Sequence, residues 1–260
     1  MLNANAVLIL LTQTFFIAMF GQVAIQKDAD LNILNLGDMK TTAVIDEVRF
    51  EGVENSSGVL KYSQIKGSPF WNDEWNLASL YDYDYKLLGR VKVKLNFVTQ
   101  ELYFLNKEEK EQVAQFGFVK KIVIHNDRDT SRVLTVFHHA NADIFINKKP
   151  VEAYLQELNQ GDVQLLKLTK RIVASADSLF GTMKRYFFRT EVYYFICFND
   201  KTEYMKRLTK ENIFLYVPGA LAYTQWIDDN KISFKKEEDI VLFLNYLNSD
   251  REKKKDTQHD

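Results

Sequence analysis

Four carboxylates offer the first chemistry to weigh: Asp73 and Glu74 in KGSPFWNDEWN, and Asp82 and Asp84 in YDYDY. Trp71 and Trp75 flank the first pair, and Tyr81, Tyr83 and Tyr85 interleave with the second. An indole beside a carboxyl group withholds water and raises its pKa, which is one way to make a general acid. Two carboxylates facing across a cleft, with rings to meet sugar faces, would equip a glycoside hydrolase. The same residues also have a reading without catalysis. Asn, Asp and Pro form turns, and Trp commonly closes the end of a β-sheet core. Adjacent Asp73 and Glu74 diverge in extended backbone, and in a strand Asp82 and Asp84 share a wet face opposite the three tyrosines. On this reading no residue is catalytic, and Phe70, Trp71, Asp73, Glu74, Trp75, Tyr81 and Tyr83 form a ligand- or partner-binding lip. The residue types favour it. The expectation is a non-enzymatic module, with a carbohydrate-active hydrolase as the alternative.

Other chemistries have weaker support. The four histidines are His125, His138, His139 and His259. His138 and His139 are adjacent and point to opposite faces of a strand, and no HExxH or CxxC motif occurs, so no metal is expected. Neither a GxSxG elbow nor a Walker A or GxGxxG run is present, and no cofactor is expected. Asp228-Asp229-Asn230 reads as a turn without the companion ligands of a calcium loop. Cys197, in YYFICF, reads as a core thiol. A formal net charge of −1 with scattered lysines gives no bulk field toward nucleic acid, so no such partner is expected.

The elements that must position these residues can be sketched from pattern. A chain of 260 residues, 46% hydrophobic, can fill one large or two modest cores. Its 19 Phe and 13 Tyr, with little Pro or Gly, favour strands. Ala6 to Phe20 is apolar and no charge precedes Lys27, yet the stretch is shorter than the ~20 residues of a membrane span. It reads as the core of a secretory signal peptide over residues 1–24, with an amphipathic or buried helix as the alternative. Export to the periplasm or the medium follows, with no transmembrane span in the mature chain. A polar lead-in is expected over 25–42, a single β-rich domain over 43–249, and a disordered polar tail over 250–260.

Within the domain, AVIDEVRFEG reads as a strand and VENSSGVL as a loop. Val91, Val93, Leu95 and Phe97 alternate with Lys92, Lys94 and Asn96, the mark of a strand with one wet face. Turn signals at 106–110, 126–132 and 159–161 divide further strands into hairpins. From about residue 209 the pattern becomes helical. Thr209 is a candidate N-cap, Glu237 to Asp239 suit a helix N-terminus, and Ile240, Val241, Leu244 and Leu247 share one face. The fold class is mainly β (α+β). It is a curved antiparallel sheet or open half-barrel of successive hairpins, with two or three C-terminal helices packed on it. Its concave face, partly covered by those helices, would take an apolar or glycan ligand or an envelope protein.

One run carries a resemblance. Gly67, Ser68, Pro69, Phe70, Glu74 and Trp75, then Val91 to Phe97, then Leu102 to Leu105, resemble a group of signal-bearing, β-rich proteins of Bacteroidota. ELNQGDVQLLKL, YMKRLTKENIFLYV and EEDIVLFLNYLN resemble the second half of such proteins. The resemblance implies an exported β-rich protein. No activity is attached to that group, so it assigns no catalytic or ligand residue.

Overall fold

Alternation is realised most plainly in β6 (Leu87–Leu95), which buries Val91, Val93 and Leu95 and exposes Lys92. Before it lie β1 (Thr41–Thr42), β2 (Glu47–Glu51), β3 (Ser57–Lys61), β4 (Ile65–Lys66) and β5 (Asn76–Tyr81). After it come β7 (Leu102–Leu105), β8 (Glu111–Ala114), β9 (Lys121–Asn126), β10 (Asp129–Ile146), β11 (Lys149–Glu157), β12 (Val163–Asp177), β13 (Lys184–Phe198) and β14 (Lys201–Met205). The computed structural model describes residues 41–42, 44, 47–51, 57–177, 184–199 and 201–257. The expected signal segment and residues 25–40 of the lead-in lie outside the described residues. The last two lead-in residues are β1.

Among the described residues twelve strands form one open sheet in the order β1-β8-β7-β6-β5-β9-β10-β11-β12-β13-β14, with β4 added parallel to β13. Successive hairpins account for most neighbours. The exceptions are β1 on β8, β4 on β13, and the return from β8 to β9, which brings β9 to the free side of β5. β2 and β3 pair separately, so Ser57 to Leu60, expected in a loop, belong to a strand. β13 runs unbroken through Arg189-Thr190-Glu191, where the sequence divides its aromatic residues into two runs.

The sheet curls back on itself. In its first half one face buries Leu80, Val93, Leu95, Phe104, Ile122 and Phe137. The turn between β6 and β7 closes over this core. Gln100 there is buried, donates to the Thr169 carbonyl at 3.0 Å and accepts from the Tyr154 amide at 3.4 Å. The Arg171 amide bonds the Phe97 carbonyl at 2.9 Å. The concave face expected to hold a ligand is thus filled by its own side chains.

In the second half the same face receives three helices: α1 (Lys210–Tyr216), α2 (Thr224–Asp229) and α3 (Glu237–Asp256). Thr209 caps α1 by accepting from the Asn212 amide. Ile240, Phe243, Leu244 and Leu247 of α3 bury against Val163, Leu165 and Ile196. Lys167 and the Tyr194 hydroxyl both bond Glu237 at the start of α3. The opposite face of this half holds a third cluster, including Ile144, Leu155, Leu168 and Phe195, where β10 packs toward β14. Cys197 lies partly buried beside it.

The tail expected to be disordered from residue 250 is helical through Asp256. Tertiary contacts explain it. Asp250 accepts from the Tyr223 hydroxyl at 2.7 Å and pairs with Lys254, and the Arg251 guanidinium lies 4.9 Å from the Phe198 ring centroid. Lys253 to Lys255 also complement the negative end of the helix dipole.

Candidate functional site

The KGSPFWNDEWN stretch is a corner, and a distant residue holds it. Gly67 sits at φ +100°, where side chains are rarely tolerated. Ser68 accepts from the Phe70 amide, and buried Pro69 takes the Phe97 amide on its carbonyl at 2.8 Å. Asn72 accepts from the Glu74 amide and donates to Asn76, closing the next turn. The Arg171 guanidinium, from the middle of β12, donates to the carbonyls of Ser68 and Phe70 and lies 5.8 Å from the Phe97 ring centroid. Burial pulls the Arg171 pKa down, and the Asp73 charge pushes back up. Nothing in the local sequence pairs Arg171 with a segment 103 residues away.

The rings of this corner are engaged with the protein itself. Trp71 meets Phe137 edge-on at 5.7 Å, and Phe70 meets Tyr103 at 5.3 Å. The Lys94 ammonium lies 5.0 Å from the Trp75 ring and 5.3 Å from that of Phe70. Asp73 and Glu74 are exposed.

The YDYDY stripe is not a strand with two faces. β5 stops at Tyr81, and Asp82 to Lys86 form a turn in which the Asp82 carboxylate accepts from the Asp84 and Lys86 amides. Tyr85 sits at φ +58°. Tyr83 turns inward, its hydroxyl 2.7 Å from His139 Nδ1, while the Lys120 ammonium lies 5.3 Å from its ring. The Asp73–Glu74 and Asp82–Asp84 pairs therefore stand at opposite ends of β5, a strand that spans roughly 17 Å. A pair of glycosidase carboxylates needs about 5–10 Å. The seven candidate lip residues split in the same way, with Phe70 to Trp75 at one end and Tyr81 and Tyr83 at the other.

Two further polar groupings escaped the sequence reading. Ser79 Oγ lies 2.9 Å from His125 Nε2, and Arg90 Nε donates to the same Oγ at 3.1 Å. Arg90 can only donate, so Ser79 accepts from it and keeps one hydrogen and a second lone pair, with which it can meet Nε2 in either imidazole tautomer. Burial, then the Arg90 charge, lowers the His125 pKa. Ser79 is 2% and His125 6% exposed, so the chain works as an internal polar link beneath Arg90. On the strand beyond, His138 Nε2 lies 2.9 Å from a Glu157 carboxylate oxygen. Among the described residues no group of three His, Cys, Asp or Glu comes together as a metal site.

An open cleft lies elsewhere. It measures about 750 Å³ and sits between β4 and the far end of the β12–β13 hairpin. Lys66, Lys184, Arg185, Tyr186, Phe187 and Phe188 line it, with Gly67 at its lip. Lys66 and Gly67 open the KGSP corner, which therefore forms one wall, and Tyr62, four residues before it, packs on Phe188 at 6.0 Å. The sequence signal was KRYFFR, three consecutive rings flanked by cations, which reads locally as one more aromatic strand.

Comparison with protein-family models, with curated proteins and with solved structures found no match for this chain. Among the described residues no helix is long and apolar enough to cross a membrane.

Proposed function

We propose that this protein is an exported, non-enzymatic binding module of the cell envelope, with the cleft between β4 and the β12–β13 hairpin as its ligand site. The observation that carries the reading is the cleft itself: about 750 Å³, open, and lined by three cations and three rings. Concave sites that combine ring surface with a few charged groups are the usual form of a ligand site. The KGSP corner supports the reading in a new role, as the wall of the cleft. Asp73, Glu74, Asp82 and Asp84 are not brought to one cleft, so the hydrolase alternative is not carried forward. The apolar, uncharged stretch from Ala6 to Phe20 and the resemblance to signal-bearing Bacteroidota proteins support export.

The test is purification of the full chain from its own envelope or medium, followed by native mass spectrometry. A bound mass that denaturation releases, and that a Lys184→Glu/Arg185→Glu variant fails to retain, is the expected result. A bound mass kept equally by that variant would move the site elsewhere. Recovery of the protein only from the cytoplasmic fraction would overturn export.

A further inference from the structure

We propose that the ligand of this cleft is an acidic glycan, a chain of sugar rings bearing carboxylate or sulfate groups. The inference rests on the binding-module reading and names its ligand class.

Charge is the first ground. Lys66, Lys184 and Arg185 are exposed, and among the described residues none of them forms an ion pair. Among the described residues the cleft lining contains no carboxylate. Asp177, the ladder partner of Lys184, offsets one positive charge and leaves the site net positive. Cations without internal partners are available to an anionic ligand at no cost in broken pairs.

Ring surface is the second ground. In the ladder Phe187 lies beside Lys66 on β4 and Ala174 on β12, and Arg185 lies opposite Ala176. Directly paired residues share a face, as do residues two apart along a strand. Phe187 therefore shares its face with Lys66 and Arg185; on β12 its direct partner Ala174 and the diagonal Ala176 offer only methyl groups, Ile172 lies on the other diagonal, and Phe187 stays partly exposed. A ring between two cations suits a sugar that offers an apolar face and an anionic edge.

Extent is the third ground. The chain carries a formal net charge of −1, so no long-range field gathers a polyanion, and the basic residues of this site are confined to β4 and the adjoining end of one hairpin. Single-stranded nucleic acid is usually held in a longer positively charged groove that tracks its backbone. A few acidic sugars fit the observed extent better.

The experiment uses the full chain in affinity electrophoresis through gels containing polygalacturonate, its fully methyl-esterified form, or chondroitin sulfate. A single-stranded DNA oligonucleotide is the competitor. Retardation by polygalacturonate or chondroitin sulfate is expected; retardation by polygalacturonate shows that carboxylates suffice, whereas retardation by chondroitin sulfate alone assigns recognition to its sulfates. Retardation should fall at least about tenfold in Lys184→Glu/Arg185→Glu and in Lys66→Glu, provided their circular dichroism and Tm match the parent. Equal retardation by the esterified polymer, or stronger binding of the oligonucleotide, would overturn the assignment. So would indifference to every charge reversal. If no acidic glycan is retained while native mass spectrometry still finds a variant-sensitive ligand, the ligand class is wrong and the module stands. If neither is seen, both fail.

Discussion

Replacing Arg171 by Met should loosen the joint between the two halves of the sheet. The guanidinium donates to two main-chain carbonyls, Ser68 and Phe70, and rests over Phe97. Met keeps much of the stem packing and removes both donors. A hydrogen bond to a charged group is worth about 1.5–3 kcal/mol, and the half-buried position places each of these toward the low end. Asp73 also loses its nearby cation. The total is about 2–4 kcal/mol, or roughly 5–15 °C in Tm for a domain of this size. Urea titration and thermal melting would measure it. Hydrogen exchange would locate it, because the amides of Trp71, Phe97 and Arg171 bond across this joint at 2.8, 2.8 and 2.9 Å and should lose protection together. Arg171→Lys, a point charge without the planar fork, should fall between parent and Met. A Met variant within about 0.5 kcal/mol of the parent, with protection unchanged at those amides, would refute the reasoning.

Three other outcomes follow from named contacts. Gly161 sits at φ +116°, and a Cβ there would come within 2.5 Å of Asn248 Nδ2, which bonds the Gln160 and Val163 carbonyls. Gly161→Ala should cost about 2–4 kcal/mol by chemical denaturation, and a near-neutral result would mean the turn can relax. His125 titrates below its ordinary 6.5 when folded, so the unfolded chain takes the proton first. Its contribution is complete above about pH 6.5 and is lost as pH falls from there toward the folded pKa. The stability difference between about pH 7.5 and pH 5.5 should therefore shrink in His125→Gln, and an unchanged difference would count against the buried neutral state. Ending the chain after Ser249 removes the Asp250–Tyr223 bond and the Arg251–Phe198 contact. Tm should drop along with the helical signal, whereas a tail that contributes nothing would leave Tm untouched.

Much of the architecture was legible because it depends on local burial. Val91 to Leu95 alternates and becomes a strand with one buried face, whereas Asn96, expected on the wet face, lies past the strand end, buried, and donates to the Tyr62 hydroxyl. Thr209 caps α1 as its position implies, and the apolar stripe of α3 packs on the sheet. Errors arose where one local pattern satisfies two structures. Asp82 in YDYDY suits the wet face of a strand and equally an Asx turn, and only the pairing of its amide with the Lys86 carbonyl selects the turn. A polar tail reads as disordered until Asp250 and Arg251 find Tyr223 and Phe198 on other elements.

The candidate site was less legible. KGSPFWNDEWN was recognisable as a corner, since Pro69 fixes its own φ and pushes Ser68 toward extended backbone, while Gly67 can take a positive φ. Its anchor Arg171 and its neighbour Phe188 come from a hairpin more than a hundred residues later. By itself, then, the sequence determined which residues are buried within each strand or helix, because that follows from periodicity along a few residues. Only the tertiary structure decided that the four carboxylates stand apart and that KRYFFR meets the KGSP corner. Both depend on how far the sheet curls, and that is set by contacts summed over the whole chain.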